Sequence, residues 1–152
     1  MICFFIGHRN APETLKSLLA ETVERHISEY GVREFVVGHC GAFDRMAAST
    51  VRDAKKHHPE VTLTLLIPYY PYKYQEEVAD EYDGSIYPKG MEKVPKPYAI
   101  VRANQYMVRH SDFLICYNKG YVGNTREIVD MALRRERKGL MQVSNLANSA
   151  FQ

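Results

Sequence analysis

Short apolar runs alternate along the chain with segments whose apolar residues recur every three or four positions. The runs are typical of strands buried on both faces, and the periodic segments are typical of helices with one apolar face. The predicted strands are residues 2–6, 33–38, 61–67, 112–117 and 140–143. The predicted helices lie within residues 10–31, 44–58, 98–110 and 124–139. This alternation predicts right-handed crossovers and a single Rossmann-like, doubly wound α/β domain with five parallel strands.

The alternation pauses in a tyrosine-rich stretch, residues 68–97, which we interpret as an insertion or lid containing a candidate short acidic helix near 74–82. Tyr69 and Tyr70 lie nearest the preceding strand and are candidates for stacking on a base. For the other tyrosines, packing against the domain or against a partner subunit is the simpler interpretation. We place the domain at residues 1–143 and a C-terminal tail at 144–152.

The composition of the chain argues against two classes of partner, nucleic-acid polymers and membranes. The 20 basic and 18 acidic residues give a net charge of +2, which is too balanced to indicate a nucleic-acid polymer as the main partner. The apolar runs are all shorter than the roughly 20 residues that span a bilayer. The first residues show no signal-peptide pattern, so we expect a cytoplasmic protein without membrane contact.

Three cysteines, an odd and widely spaced set, predict neither a disulfide framework nor a zinc ribbon. Cys3 and Cys116 lie in strand-like runs, where a thiol is usually a small buried hydrophobe, and Cys40 in a glycine turn is the candidate reactive thiol. A metal site of His8, His39 and Cys40 lacks any ligand-pair spacing, and we predict neither a metal nor a cofactor.

Three glycine-bearing loops follow predicted strands and lead into predicted helices: residues 7–9, 38–42 and 118–125. Ligands of doubly wound sheets bind beyond the carboxyl ends of the strands, where backbone amides at helix N-termini attract phosphate. A single loop of this kind is explained as well by the glycine preference of tight turns. Three at one sheet edge favour a ligand site, although the spacing is neither GxGxxG nor a P-loop.

Two segments carry a family resemblance. "GHCGAFDRMAA" resembles the G-x-x-G-A-D-x-x-A signature of the SLOG superfamily, which groups the DNA-processing DprA proteins with the LOG phosphoribohydrolases. "RANQYMVRHSDFLICYNKGYVGNTREIVDMAL" and the N-terminal "FFIGHR" are similar to its DUF1273, or YpsA-like, branch. The resemblance implies a Rossmann-like domain that binds nucleotides or nucleotide derivatives and is often dimeric. Members of the superfamily include both hydrolases and signal-binding modules.

The resemblance also implies where a ligand binds. The loop of residues 38–42 would form one wall of the site, and the loop of residues 118–125 would bind a phosphate. The loop of residues 7–9 would contact a phosphate or the edge of a base. His8 is explained equally well as an ordinary turn histidine, and His39 is a weaker candidate. Together with the two tyrosines, the candidate ligand-binding residues are Gly7, His8, Arg9, Gly38, His39, Gly41, Ala42, Asp44, Gly120, Gly123, Asn124, Thr125 and Arg126.

The enzyme alternative depends on Glu127, which lies at the distance from Gly123 that the LOG hydrolases use for their glutamate. Arg102 is the tentative catalytic cation, but it is one position away from the expected arginine, and Arg126 is a substitute. Glu127 is equally explained as a first-turn acid that complements the helix dipole. Asn124 also stands where the hydrolases have threonine.

We therefore predict a module that binds a nucleotide or nucleotide-derived signal, as a homodimer or higher homo-oligomer. The first alternative is a nucleoside 5'-monophosphate N-glycosidase that uses Glu127. The second is a protein-interaction adaptor that retains the fold without a ligand.

Overall fold

The computed structural model describes residues 1–73, 79–120 and 123–149. Its core is one parallel sheet with strand order β4-β3-β2-β1-β5-β6. The strands are β1 Ile2–Gly7, β2 Glu34–Val37, β3 Thr62–Leu66, β4 Gly84–Ile86, β5 Phe113–Tyr117 and β6 Gln142–Asn145. The helices are α1 Lys16–Ser28, α2 Ala42–Lys55, α3 Lys96–His110, α4 Asn124–Arg137 and the short α5 Leu146–Ser149. The predicted Rossmann-like architecture is confirmed.

Helices cover both faces of the sheet. Side chains of α1, α2 and α5 pack on one face, where Cys3 and Phe5 of β1 are buried. Side chains of α3 and α4 pack on the other face, where Phe4 and Ile6 are buried. Successive side chains of a strand point to opposite faces of the sheet. A central strand of a sheet with helices on both faces must therefore be apolar at every position. This explains the continuous apolar runs in the sequence.

The chain reverses its direction of travel across the sheet at β1. From β1 it adds β2, β3 and β4 on one side, and it then crosses back to place β5 and β6 on the other side. The chain therefore continues from the carboxyl end of β1 into α1 on one face of the sheet, and from the carboxyl end of β5 into α4 on the opposite face. Such a reversal leaves a crevice beyond the strand ends, which is where ligands of this class of fold bind.

Within the described ranges the sheet has six strands, one more than predicted. The additional strand, β4, lies inside the tyrosine-rich stretch and pairs with β3. Asp83 attaches this strand: its N–H donates to the Leu63 carbonyl over 2.9 Å, and one of its carboxylate oxygens accepts the Leu63 N–H over 2.7 Å. The same carboxylate pairs with Lys55 of α2. A three-residue edge strand that begins Gly-Ser has no apolar run, so hydropathy could not reveal it.

The last strand ends later than the predicted 140–143, and residues 144–147 are part of the fold instead of a tail. Leu140 is exposed, whereas Leu146 and Ala147 of α5 are buried in the core. Of the predicted acidic helix near 74–82, residues 79–81 form one turn of 3-10 helix, and residues 74–78 lie outside the described part of the chain. In the parts that are described, no helix has the length and apolar character needed to cross a membrane.

Gly7, the last residue of β1, allows α2 to approach the sheet closely. A Cβ atom at this position would lie 2.4 Å from the Phe43 ring and 2.9 Å from the Phe43 Cβ. Phe43 is buried in the first turn of α2, and its ring is stacked on Tyr117 of β5 with centroids 6.4 Å apart. The N-terminus of α2 is thereby docked onto the ends of β1 and β5.

We expect Gly7→Ala to lower the free energy of unfolding by about 1–3 kcal/mol, since the added methyl group must displace the Phe43 ring from a packed core. The measurement is urea unfolding followed by circular dichroism. Gly84→Ala is the matched control, because an added Cβ there meets no atom within 4 Å. Equal effects of the two substitutions would contradict the close Gly7–Phe43 contact.

Candidate functional site

A narrow cleft of about 120 Å³ opens at the carboxyl edge of the sheet, at the reversal point. It brings together six of the predicted ligand-binding residues: Gly7, Arg9, Gly38, Asp44, Asn124 and Thr125. Five further described residues line it, namely Phe5, Ile6, Cys40, Ile100 and Asn104. The three predicted loops thus meet at one place, together with a face of α3 that the sequence analysis did not include.

The loops after β1 and β2 are in direct backbone contact. The Ala42 N–H donates to the Arg9 carbonyl over 2.9 Å, and a Cβ at Gly41 would lie 2.7 Å from the Arg9 Cα. Only glycine permits this approach. Gly41 and Ala42 therefore position Arg9 without lining the cleft themselves.

Asp44 is the buried acid of the cleft. Its side chain lies in the first turn of α2, is 8% exposed, and accepts the Cys40 N–H at Oδ2 over 2.9 Å. Burial raises the pKa of this carboxyl to about 6, against the opposing effects of the Cys40 hydrogen bond and of the Arg45 and Arg9 charges. Gly38 leaves room for this carboxyl, since a Cβ on residue 38 would lie only 3.2 Å from Asp44 Oδ2.

Cys40 lines the cleft but has the character of a buried thiol. Burial, followed by the Asp44 charge, raises its pKa to about 11. The thiolate is the nucleophilic and metal-binding form of cysteine, so this shift argues against the reactive role considered for Cys40. Among the described residues, no group of three His, Cys, Asp or Glu side chains is arranged to hold a metal ion.

Two helices begin at the cleft, and each has glycine at its N-cap. Gly41 precedes α2, and Gly123, with φ of 147°, precedes α4. A glycine has no side chain with which to cap the first amides of a helix. In α2 the first amide, that of Ala42, already donates to the Arg9 carbonyl, so the amides that follow it and those of the first turn of α4 are the ones that can meet a ligand. Asn124 and Thr125, the first residues of α4, both line the cleft.

The loop after β5 is fixed to β6 by a reciprocal pair of asparagines. The Asn145 side chain accepts the Asn118 N–H over 3.1 Å and donates to the Asn118 carbonyl over 2.9 Å. The Asn118 side chain in turn accepts the Gly120 N–H over 3.2 Å, and Gly120 has a φ of 88° that favours glycine. Gly120 lies beside β6 and does not line the cleft. Residues 121 and 122 are outside the described ranges.

A second, wider hollow of about 460 Å³ also borders Arg9, and we call it the outer hollow. It is lined by His8, Arg9, Asn10, Pro12, Tyr117 and Lys119. His8 Nε2 accepts the Lys119 N–H over 3.0 Å, and the ring meets Tyr117 edge-on at 5.7 Å. Burial and then the Lys119 charge lower the pKa of His8, so its imidazole is neutral near pH 7.

The remaining predicted residues lie around the cleft. His39 borders a small adjoining void beside Tyr72. Tyr69 is half-buried, with Lys96 Nζ 4.7 Å from its ring centroid, and the exposed Tyr70 meets Tyr87 edge-on at 4.7 Å. Neither tyrosine is among the residues that line the cleft.

The residues predicted for catalysis are exposed on helices. Glu127 lies in the first turn of α4, where its N–H donates to the Gly123 carbonyl, and Arg126 pairs with Asp130 at 3.9 Å. Arg102 is exposed on α3, one residue before the buried Ala103. None of the three lines the cleft. Asn104, two residues from Arg102, does line it, and the quoted α3 motif contained this residue without indicating which way it faces.

We expect the stability contribution of Asp44 to depend on pH with the sign of an acid whose pKa is raised on folding. The pKa of Asp44 is about 6 in the folded protein, whereas the pKa of an unfolded aspartate is about 3.9. As the pH falls from about 8 to about 5, the folded state therefore takes up a proton that the unfolded state does not, and the free energy of unfolding should rise by about 1 kcal/mol. Asp44→Asn lacks this gain and should be at least as stable as the wild type at the higher pH.

The measurement is urea unfolding across this pH range. Asp53→Asn is the matched control, since Asp53 is exposed on the same helix. A wild type and an Asp44→Asn variant with parallel pH profiles would show that Asp44 is not buried as described.

The chain matches known proteins at the level of family and fold. It is similar to the solved X-ray structure of DNA processing protein A (DprA) from Streptococcus pneumoniae, with a TM-score of 0.64 and 12% sequence identity. That match covers 94% of this chain, and the chain spans 58% of the DprA chain. No curated protein matches the sequence. The model of the YpsA family, described as the YspA SLOG family, matches residues 1–149. The predicted resemblance is confirmed, and the chain belongs to the YspA SLOG family.

Proposed function

We propose that this SLOG domain binds a nucleotide or a nucleotide-derived small molecule at the carboxyl edge of its sheet. The observation that carries the proposal is the convergence of two glycine-capped helix N-termini, α2 and α4, on one cleft at the reversal point of the strand order. Amides at helix N-termini and the dipoles behind them favour anions such as phosphate. A nucleotide offers that anion together with hydroxyl and amino donors.

Different polar groups of the cleft are suited to different parts of a nucleotide. The Asp44 carboxyl can accept hydrogen bonds from a sugar hydroxyl or an amino group, whereas its negative form repels phosphate. The α4 N-terminus, with Asn124 and Thr125, and the Arg9 guanidinium favour the phosphate. The sugar side of the ligand therefore lies toward Gly38 and Asp44, and the phosphate side lies toward Arg9 and α4.

Binding is favoured over hydrolysis because of where the acids lie. A glycosidase needs a carboxylate beside the scissile bond. Among the residues that the structure describes, the acid in the lining of the cleft is Asp44, and one of its oxygens already accepts the Cys40 N–H. Glu127 is exposed in the first turn of α4, and its side chain is not among those that line the cleft. Cleavage of a bound nucleotide therefore remains the alternative outcome of the binding experiment.

The test is thermal denaturation and native mass spectrometry with a panel of nucleoside monophosphates, diphosphates, dinucleotides and ADP-ribose-type compounds. We expect at least one compound to raise the melting temperature of the wild type. Asn124→Asp should weaken its binding by about tenfold or more, since a carboxylate at the helix start opposes phosphate. The same carboxylate complements the dipole of α4, so the fold should be retained.

Gln142→Glu is the matched control: it adds the same charge to the exposed first residue of β6, at the amino edge of the sheet. It should bind as the wild type does. Release of free base by the wild type but not by Glu127→Ala would establish the glycosidase in place of the binder. Absence of binding across the panel would overturn the proposal and favour the adaptor.

A further inference from the structure

We propose that the outer hollow is a second anion subsite, and that the ligand of this domain carries two phosphate groups in tandem, as in a nucleoside diphosphate or its derivatives. This inference rests on the proposed function and specifies the chemical class of the ligand. It is carried by the position of Arg9 between two cavities of different size and charge.

Arg9 is the shared boundary of the two cavities. It lines both the cleft and the outer hollow. Its backbone is held by the Ala42 N–H and by the close approach of Gly41. Both contacts come from the start of α2, so the base of the arginine side chain is fixed relative to the cleft. A guanidinium has five donors in a planar fork and can serve a phosphate on either side.

The cleft by itself is too small and too acidic for the whole ligand. Its volume of about 120 Å³ is below the roughly 300 Å³ at which small-molecule pockets begin. Asp44 occupies the buried side of this space, and its carboxylate disfavours a second phosphate beside it. A ligand that reaches Asp44 with a donor group and α4 with one phosphate must extend outward past Arg9.

The outer hollow has the complementary character. At about 460 Å³ it is the roomier cavity, and its described lining contains Arg9, Lys119 and His8 but no carboxylate. Lys119 Nζ lies 5.7 Å from the centroid of the Tyr117 ring, which is buried and forms an apolar wall of the hollow. Because His8 Nε2 accepts the Lys119 N–H, the proton of the neutral imidazole is on Nδ1. The lining is therefore rich in donors and positive charge.

The loop that carries Lys119 is also held in place. Asn118, the preceding residue, is fixed by its two hydrogen bonds with the Asn145 side chain, and the Lys119 N–H donates to His8 Nε2. The loops after β1 and β5 are thus joined across the top of the sheet. Arg9 and Lys119 thus border the outer hollow from two joined loops, and an anion that binds between them needs little further ordering of the Arg9 and Lys119 backbones.

The test compares phosphate with pyrophosphate, and the monophosphate with the diphosphate of one nucleoside, by isothermal titration calorimetry. The wild type should bind the diphosphate member of each pair about tenfold or more tightly. Lys119→Met should remove most of this increment while leaving the affinity for the monophosphate close to that of the wild type. The increment should also decline with added salt, since the subsite is open to solvent.

Lys138→Met is the matched control, because Lys138 is an exposed lysine at the opposite end of α4. It should preserve the diphosphate increment. Binding of the monophosphate without a diphosphate increment overturns this inference and leaves the proposed function standing. An increment that survives Lys119→Met overturns the assignment to the outer hollow. Failure of every compound to bind overturns both the inference and the proposed function.

Discussion

The contact between Gly7 and the Phe43 ring is the constraint on which the candidate site depends. It lets the first turn of α2 lie directly on the end of β1, at a distance that any side chain on residue 7 would prevent. With α2 in that position, Gly41 meets the Arg9 backbone and Asp44 reaches the end of β2. One missing side chain thus sets the position of the Arg9 backbone relative to the Asp44 carboxyl, and both residues border the cleft.

The electrostatics of the cleft follow from the same packing. Asp44 is buried because the helix that carries it is held so close, and burial raises its pKa. A buried carboxylate near neutral pH costs stability unless it is compensated, and here the compensation is one amide hydrogen bond and nearby arginines. Strongly shifted acids in clefts are characteristic of functional sites. Asp44 therefore unites a structural role at the start of α2 with the chemistry expected of a ligand contact.

The two halves of the sheet edge are built by different means. On the β2 side, backbone contacts between glycine-bearing loops determine the geometry. On the β5 side, a side chain determines the geometry: the Asn145 amide group bonds to both the N–H and the carbonyl of Asn118, as a neighbouring backbone would. Asn145 lies in a segment that the sequence placed in the C-terminal tail, so its contribution to the site was missed. Its signal, a single asparagine after a weak strand, is too common to be informative alone.

Elements with a local signal were predictable from the sequence. Apolar runs predicted five of the six strands, and glycines after the first, second and fourth predicted strands located the sheet edge at which six of the predicted residues meet. Which residues face the cleft depends on the tertiary structure. Asn104 lines the cleft while Arg102 does not, because one or two positions on a helix turn a side chain to another face. The tertiary structure also decided the edge strand β4 and the buried state of Asp44, since both arise from contacts between residues distant in the chain.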